Sequence, residues 1–148
     1  MLKDTLKGLI IRDLEKLKEE ILAYQNEDKL WHIDKGISNS AGNLCLHLIG
    51  NLNTYIGAQL GNASYERNRE AEFALKNIPR EELIIQLEKT IHIISQSFDQ
   101  LTDKHLTEIY PGEMPFKDVS TQHFFVHLAM HLAYHLGQIN YHRRLVDI

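Results

Sequence analysis

Five of the nine histidines fall in one stretch, HFFVHLAMHLAYHLGQINYH, from His123 to His142. Four of them, His123, His127, His131 and His135, recur at every fourth residue. Neutral imidazole is the commonest metal ligand among side chains. A spacing of four puts neighbours on one face of a helix, about 6 Å apart along its axis. Two rings so placed can converge on one ion at roughly 2.0–2.1 Å per bond, as in the two-histidine helical motif of zinc enzymes. Rings eight residues apart are separated by about 12 Å of rise, and helical rotamers keep them from leaning together. Such a helix therefore offers one adjacent pair per ion. On a wheel of about 100° per residue, His131 and His135 border the apolar arc of Phe124, Leu128, Leu132 and Ile139, whereas His127 and His123 swing away from it. The candidate pair is His131 with His135.

A third ligand must come from another helix, and NLCLHLIGNL contains His47. Asn43, Asn51 and Thr54 share its face to within about 40°, a narrow polar strip on a mostly apolar helix. A lined site inside a bundle has this character. Three neutral imidazoles leave a coordination position open, the catalytic rather than the closed structural type. Gln138 is placed to support His131 or His135 through a hydrogen bond. His32, His92, His105 and His142 read as packing or surface histidines. His123 and His127 read as structural, lining a cavity mouth or bonding to tyrosines.

Other chemistries fit less well. A carboxylate-bridged di-iron bundle needs Glu-x-x-His on two helices, and no glutamate stands three residues before a histidine here. The single cysteine, Cys45, excludes an internal disulfide framework and reads as a small buried filler. The 148 residues carry a formal net charge of −4, without the basic face of a nucleic-acid-binding protein. No run approaches the ~18 apolar residues of a membrane span. The opening MLKDTLKGLIIRDLEK is too charged for a secretory leader. A cytoplasmic protein is expected, without nucleic-acid or membrane partners.

The positioning elements follow from apolar spacing. A first helix is expected from about Leu2 to Gln25, its apolar residues Leu6, Leu9, Ile10, Leu14, Leu17, Ile21 and Leu22 recurring at three- and four-residue spacing, with Asp4 as its cap. NEDKLWHIDKGISNS is a connection, ending in Ser38 or Ser40 as the next cap. The second helix, Ala41 to Leu60, holds three internal glycines, each costing roughly 1 kcal/mol against alanine and suggesting close approach to a neighbour. A third starts after Pro79 and a fourth near Ser120, with TEIYPGEMPFKDVS as a loop between them. Residues 1–148 then form one domain, an all-α four-helix bundle with long inter-helix connections and an open helix order.

LHLIGNL in the second helix and HLAYHLGQINYHRR in the fourth resemble the DinB-like four-helix bundles. That superfamily includes thiol-dependent S-transferases that use bacillithiol or mycothiol. SNSAGNLCLHLIGNLNTYI, followed by RNREAEF, is similar to an uncharacterised branch of it. The similarity spans most of the chain, and the HxxxHxGQ pattern with one upstream histidine carries it. The resemblance implies His47, His131 and His135 as metal ligands, a divalent cofactor such as zinc or nickel, and a homodimer. It implies transfer of a low-molecular-weight thiol to a small electrophilic substrate. Hydrolysis at the same open position and non-catalytic metal binding are the alternatives. No catalytic side chain is assigned. Arg67, Arg69 and Glu72 in RNREAEF form either a salt bridge within the connection or an arm over the site mouth.

Overall fold

The first helix, α1 (Leu2–Ala23), buries Leu6, Ile10, Leu14, Leu17 and Ile21 along one stripe, whereas Leu9 and Leu22 of the same apolar set fall at its edge and are exposed. Met1 rather than Asp4 stands at its cap. Asp4 lies in the first turn, where a carboxylate opposes the helix dipole. The chain then turns extended at Tyr24 and makes a short 3-10 turn, Glu27–Trp31, that the loop-like composition had hidden. The computed structural model describes residues 1–148 throughout.

Ser40 caps α2 (Ala41–Leu52), its Oγ accepting from the Asn43 N–H at 3.2 Å. Every residue of α2 is buried, so this is the central helix of the molecule. The expected single helix to Leu60 widens into a π turn over Asn53–Ala58 and closes with the short stretch Gln59–Gly61. At the change, Asn53 Nδ2 donates to the Ile49 carbonyl and to Thr90 Oγ1, both at 2.8 Å. A side chain inserted into the backbone ladder in this way is a usual origin of such irregularity. All three glycines are sites of close approach, Gly57 meeting Ile93 of the neighbouring helix. A Cβ on Gly42 would lie 2.6 Å from the Trp31 ring, and one on Gly50 would overlap the Glu72 carboxylate.

Two further short helices emerge. Asn68 caps α3 (Arg69–Ala74) by accepting from Ala71 N–H at 3.0 Å. After α4 (Arg80–Gln100), a Thr102 capping box opens α5 (Asp103–Thr107). Pro79 takes the cap of α4 rather than its first turn. Ser120 caps α6 (Thr121–Val146). One isolated bridge between Ile109 and Ser120 ties down the loop before α6.

The four long helices do not pack in chain order. Helix α1 lies against α4 and α6, and α2 also lies against α4 and α6. Thus α1 sits diagonally from α2, and α4 from α6. The connections Tyr24–Ser40 and Leu101–Ser120 cross those diagonals, which accounts for their length. The core fills with aliphatic side chains of α1, notably Ile10, Leu14 and Leu17, and with aromatic pairs such as Phe98 against Phe125, rings 5.4 Å apart. No helix is long and apolar enough to cross a membrane.

Candidate metal centre

Helices α2 and α6 are neighbours, and their contact brings together the three histidines singled out by spacing. His47 Nε2 lies 3.2 Å from His131 Nε2, which in turn lies 3.1 Å from His135 Nε2. All three candidate donor atoms fall within 4.8 Å of one another. Two nitrogens on one tetrahedral zinc ion stand roughly 3.3 Å apart, given bonds of 2.0–2.1 Å. His47 is buried, while His131 and His135 are half-buried at the edge of the core.

The far side of two rings is tied back. Glu72 Oε1 lies 3.1 Å from His47 Nδ1. Gln138 Oε1 lies 2.7 Å from His135 Nδ1, the support expected from its spacing. A carboxylate can only accept a hydrogen bond, so His47 Nδ1 carries the proton and its Nε2 presents a lone pair to the site. The carbonyl of Gln138 sets the same tautomer at His135. Both lone pairs then face His131 Nε2. One hydrogen on His131 can bridge to only one of them, leaving a close approach of two acceptors that a cation between the rings would relieve. His131 Nδ1 is buried without a partner. The donor set therefore suits a divalent ion of nitrogen-ligand preference.

A proton does not substitute readily for that cation. Burial first, then the neighbouring His135 and His47 rings, push the His131 pKa down to about 4. Burial likewise lowers His135, and His142 outside the site. Between pH 6.5 and about 4 the unfolded chain holds a proton on residue 131 that the folded chain does not. Stability should therefore fall as pH falls through that window. The expected loss from His131 is about 2 kcal/mol, allowing for solvent at its exposed edge. Urea unfolding of chelator-treated protein at pH 7 and pH 4.5 measures it, and equal midpoints would contradict a neutral buried ring.

The RNREAEF segment reaches the site. Arg67 grips Glu72 through two nitrogens, Nε and a terminal NH2, each at 2.9 Å. The same terminal nitrogen lies 3.4 Å from His47 Nδ1. The Phe73 ring packs on His47 with centroids 5.0 Å apart. Arg67 and Glu72 thus form a salt bridge that also lies against a candidate ligand. Burial opposes ionisation of Glu72, but the hydrogen bonds from His47 and Arg67 and the Arg67 charge prevail and hold its carboxyl below the usual range. Arg69 is exposed and stacks over Phe73 at 5.4 Å. Spacing does not mark Glu72 as a site residue, since it lies 25 residues from His47 on a helix absent from the apolar pattern. RNREAEF draws attention to Glu72 without giving its contact with His47; Gly50, whose missing side chain makes room for the carboxylate, is the signal for that contact.

The remaining histidines serve packing or lie outside the cluster. His142 is buried, its Nδ1 2.6 Å from the Tyr24 hydroxyl and its Nε2 2.8 Å from the His32 carbonyl. His127 stands edge-on to Phe116 with centroids 4.7 Å apart, and Phe116 lies 6.5 Å from the His123 ring. Both histidines line an open cavity on α6 beside Gln122, Val126 and Met130, and their aromatic partner is a loop phenylalanine rather than a tyrosine. Cys45 is fully buried and its thiol is pushed up to about 12 by burial, which excludes an activated thiolate.

An all-helical bundle in which the second and last long helices bring three imidazoles together has the organisation of the DinB-like class. The chain belongs to the family described as "Protein of unknown function (DUF1572)", a member of the DinB-like superfamily, whose model matches residues 4–147. No curated protein and no solved structure matches the chain.

Proposed function

We propose that this chain is a metal-dependent enzyme of the thiol S-transferase type, with zinc or nickel held by His47, His131 and His135. The observation supporting it is the convergence of three imidazole nitrogens, two of the rings being fixed from behind by Glu72 and Gln138. Bound there, a divalent cation supplies Lewis acidity that lowers the pKa of a thiol in the position left open. The protein's own residues orient and enclose. Asn51 Oδ1 and Thr54 Oγ1, further along the His47 strip, are buried without protein partners. A cavity of about 460 Å³ borders His135 and Gln138, walled by Leu44, Tyr134, Tyr141 and Leu145. No carboxylate, lysine or arginine lines it, which suits a small, uncharged and partly apolar electrophile.

The experiment is metal analysis of protein purified without an affinity tag, followed by turnover assays on metal-replete samples with and without an added thiol. About one equivalent of metal and thiol-dependent loss of an electrophile are expected. Turnover without thiol would replace transfer by hydrolysis. Metal without either activity would leave a metal-stabilised bundle, in which the ion joins α2 to α6.

We also propose that the chain pairs with a second copy through the outer face of α6. Val126, Met130, Tyr134, Tyr141 and Leu145 form an exposed apolar stripe there, with Met130 at 67% and Tyr134 at 65% exposure. Ala133 and Gly137 lie within the stripe and let a second helix come close. Met130→Glu combined with Tyr134→Glu is expected to shift the light-scattering mass from dimer to monomer. A wild-type mass of one chain would refute the pairing.

A further inference from the structure

The glycine at position 50, the acid at position 72 and the first candidate ligand form a single device. Helix α3 is anchored from below by Asn43, whose Nδ2 donates to the carbonyls of Glu72 and Leu75 at 2.9 and 2.8 Å. That anchoring presses α3 onto α2 at Gly50, where α2 has no side chain to repel the carboxylate. Arg67 holds both oxygens of Glu72 in a planar fork, which fixes the carboxylate's orientation as well as its charge. One of those oxygens is turned to His47 Nδ1. Phe73 meanwhile covers the His47 ring. An Arg–Glu pair that served only to close a loop would need neither the contact with imidazole nor the gap at Gly50.

We propose that Glu72 is the positioning residue of the three-histidine centre, setting the tautomer and ring angle of His47, and that Gly50 is required because it admits this carboxylate. The proposal rests on the metal-centre reading for its consequence, tighter ion binding, but its tautomer component stands apart from that reading. Arg67 acts through Glu72, not on the ion. Carboxylates that support a ligating histidine raise metal affinity by roughly 10- to 100-fold.

The test uses the full chain and Zn²⁺ alone, titrated against a chromophoric chelator at pH 7.5, beside long-range ¹H–¹⁵N spectra of the histidine rings in metal-free protein. Wild-type protein should show His47 protonated at Nδ1. Glu72→Gln, nearly isosteric, should weaken zinc binding about 10- to 100-fold; it also lowers the metal-free melting temperature by leaving Arg67 without its counter-charge, so affinity is read at a temperature where the variant is fully folded. Gly50→Ala keeps the carboxylate but displaces it. It should weaken zinc binding in the same direction and mix the His47 tautomers. Equal zinc affinity in wild type and Glu72→Gln, or an unchanged His47 tautomer in Glu72→Ala, would overturn the proposal. If wild-type protein binds no zinc, the metal reading fails, and the tautomer spectra alone decide the role of Glu72.

Discussion

Replacing His131 with alanine is expected to raise the dissociation constant for zinc by about a thousandfold, more than loss of a supporting carboxylate. His131 is the middle member of the cluster: its Nε2 is the atom that both His47 and His135 approach, at 3.2 and 3.1 Å. Without it, two imidazoles on different helices remain, too few to hold an ion against solvent. The metal-free variant should fold nearly as well as the parent, because the lost ring is half-buried with an unpartnered Nδ1. It should also lose part of the acid sensitivity that the neutral ring confers. Saturating zinc at about 100 times the dissociation constant stabilises wild-type protein by about 2.7 kcal/mol. For a chain of this size that is a rise in melting temperature of roughly 6–10 °C. The variant should show no such rise. Thermal melts with and without zinc, paired with equilibrium dialysis, separate the outcomes. Unchanged affinity would remove His131 from the centre.

Asn43→Ala is expected to have the largest effect on folding among the polar residues near the site. The side chain is almost fully buried and uses all its capacity. Two donor hydrogens go to the carbonyls of Glu72 and Leu75, while Oδ1 accepts from Ser40 Oγ at 2.7 Å and Lys76 Nζ at 2.6 Å. Truncation leaves two backbone carbonyls and the Lys76 ammonium without these partners and removes the acceptor of the Ser40 hydroxyl, which keeps only its capping bond from the residue 43 N–H. At about 1 kcal/mol net per bond, with the added cost of unsatisfied groups, the loss is about 3–4 kcal/mol. The effect should be local first: amides of Ala71–Leu75 exchange faster before the bundle opens. Zinc affinity should drop about tenfold, since Glu72 is no longer held on α2. Urea titration and hydrogen exchange test the two parts. A destabilisation below about 1 kcal/mol would mean that Asn43 does not anchor α3.

Much of this arrangement was legible in the residues because it depends on helical periodicity. The four-residue spacing of His131 and His135, and their place beside Leu128, Leu132 and Ile139, put them at the core edge, where they lie. The polar strip of Asn43, His47 and Asn51 marked the inner face of α2, though it did not reveal that Asn43 bonds away from the site to α3. The long helices were readable from apolar stripes, and the capping role of Ser40, one of two candidates with Ser38, from its chemistry. Features set by tertiary contact were not readable. The π turn at Asn53 depends on Thr90 of another helix. Helix α3 has only six residues and no apolar period, and it exists because Asn68 caps it and Asn43 receives it. The pairing of Glu72 with His47 joins two elements whose approach no local pattern encodes.

The diagonal placement of α1 and α2 bears on how the chain is made. Most bundles can close a hairpin from their first two helices while the rest is still being synthesised. Here the greasy side of α1 finds its main neighbours in α4 and α6, so Leu6, Ile10, Leu14, Leu17 and Ile21 stay largely uncovered until α4, which ends at Gln100, has left the ribosome. Final closure waits for the last helix, which ends at Val146. Truncation from the C-terminal end should therefore yield insoluble fragments rather than smaller bundles.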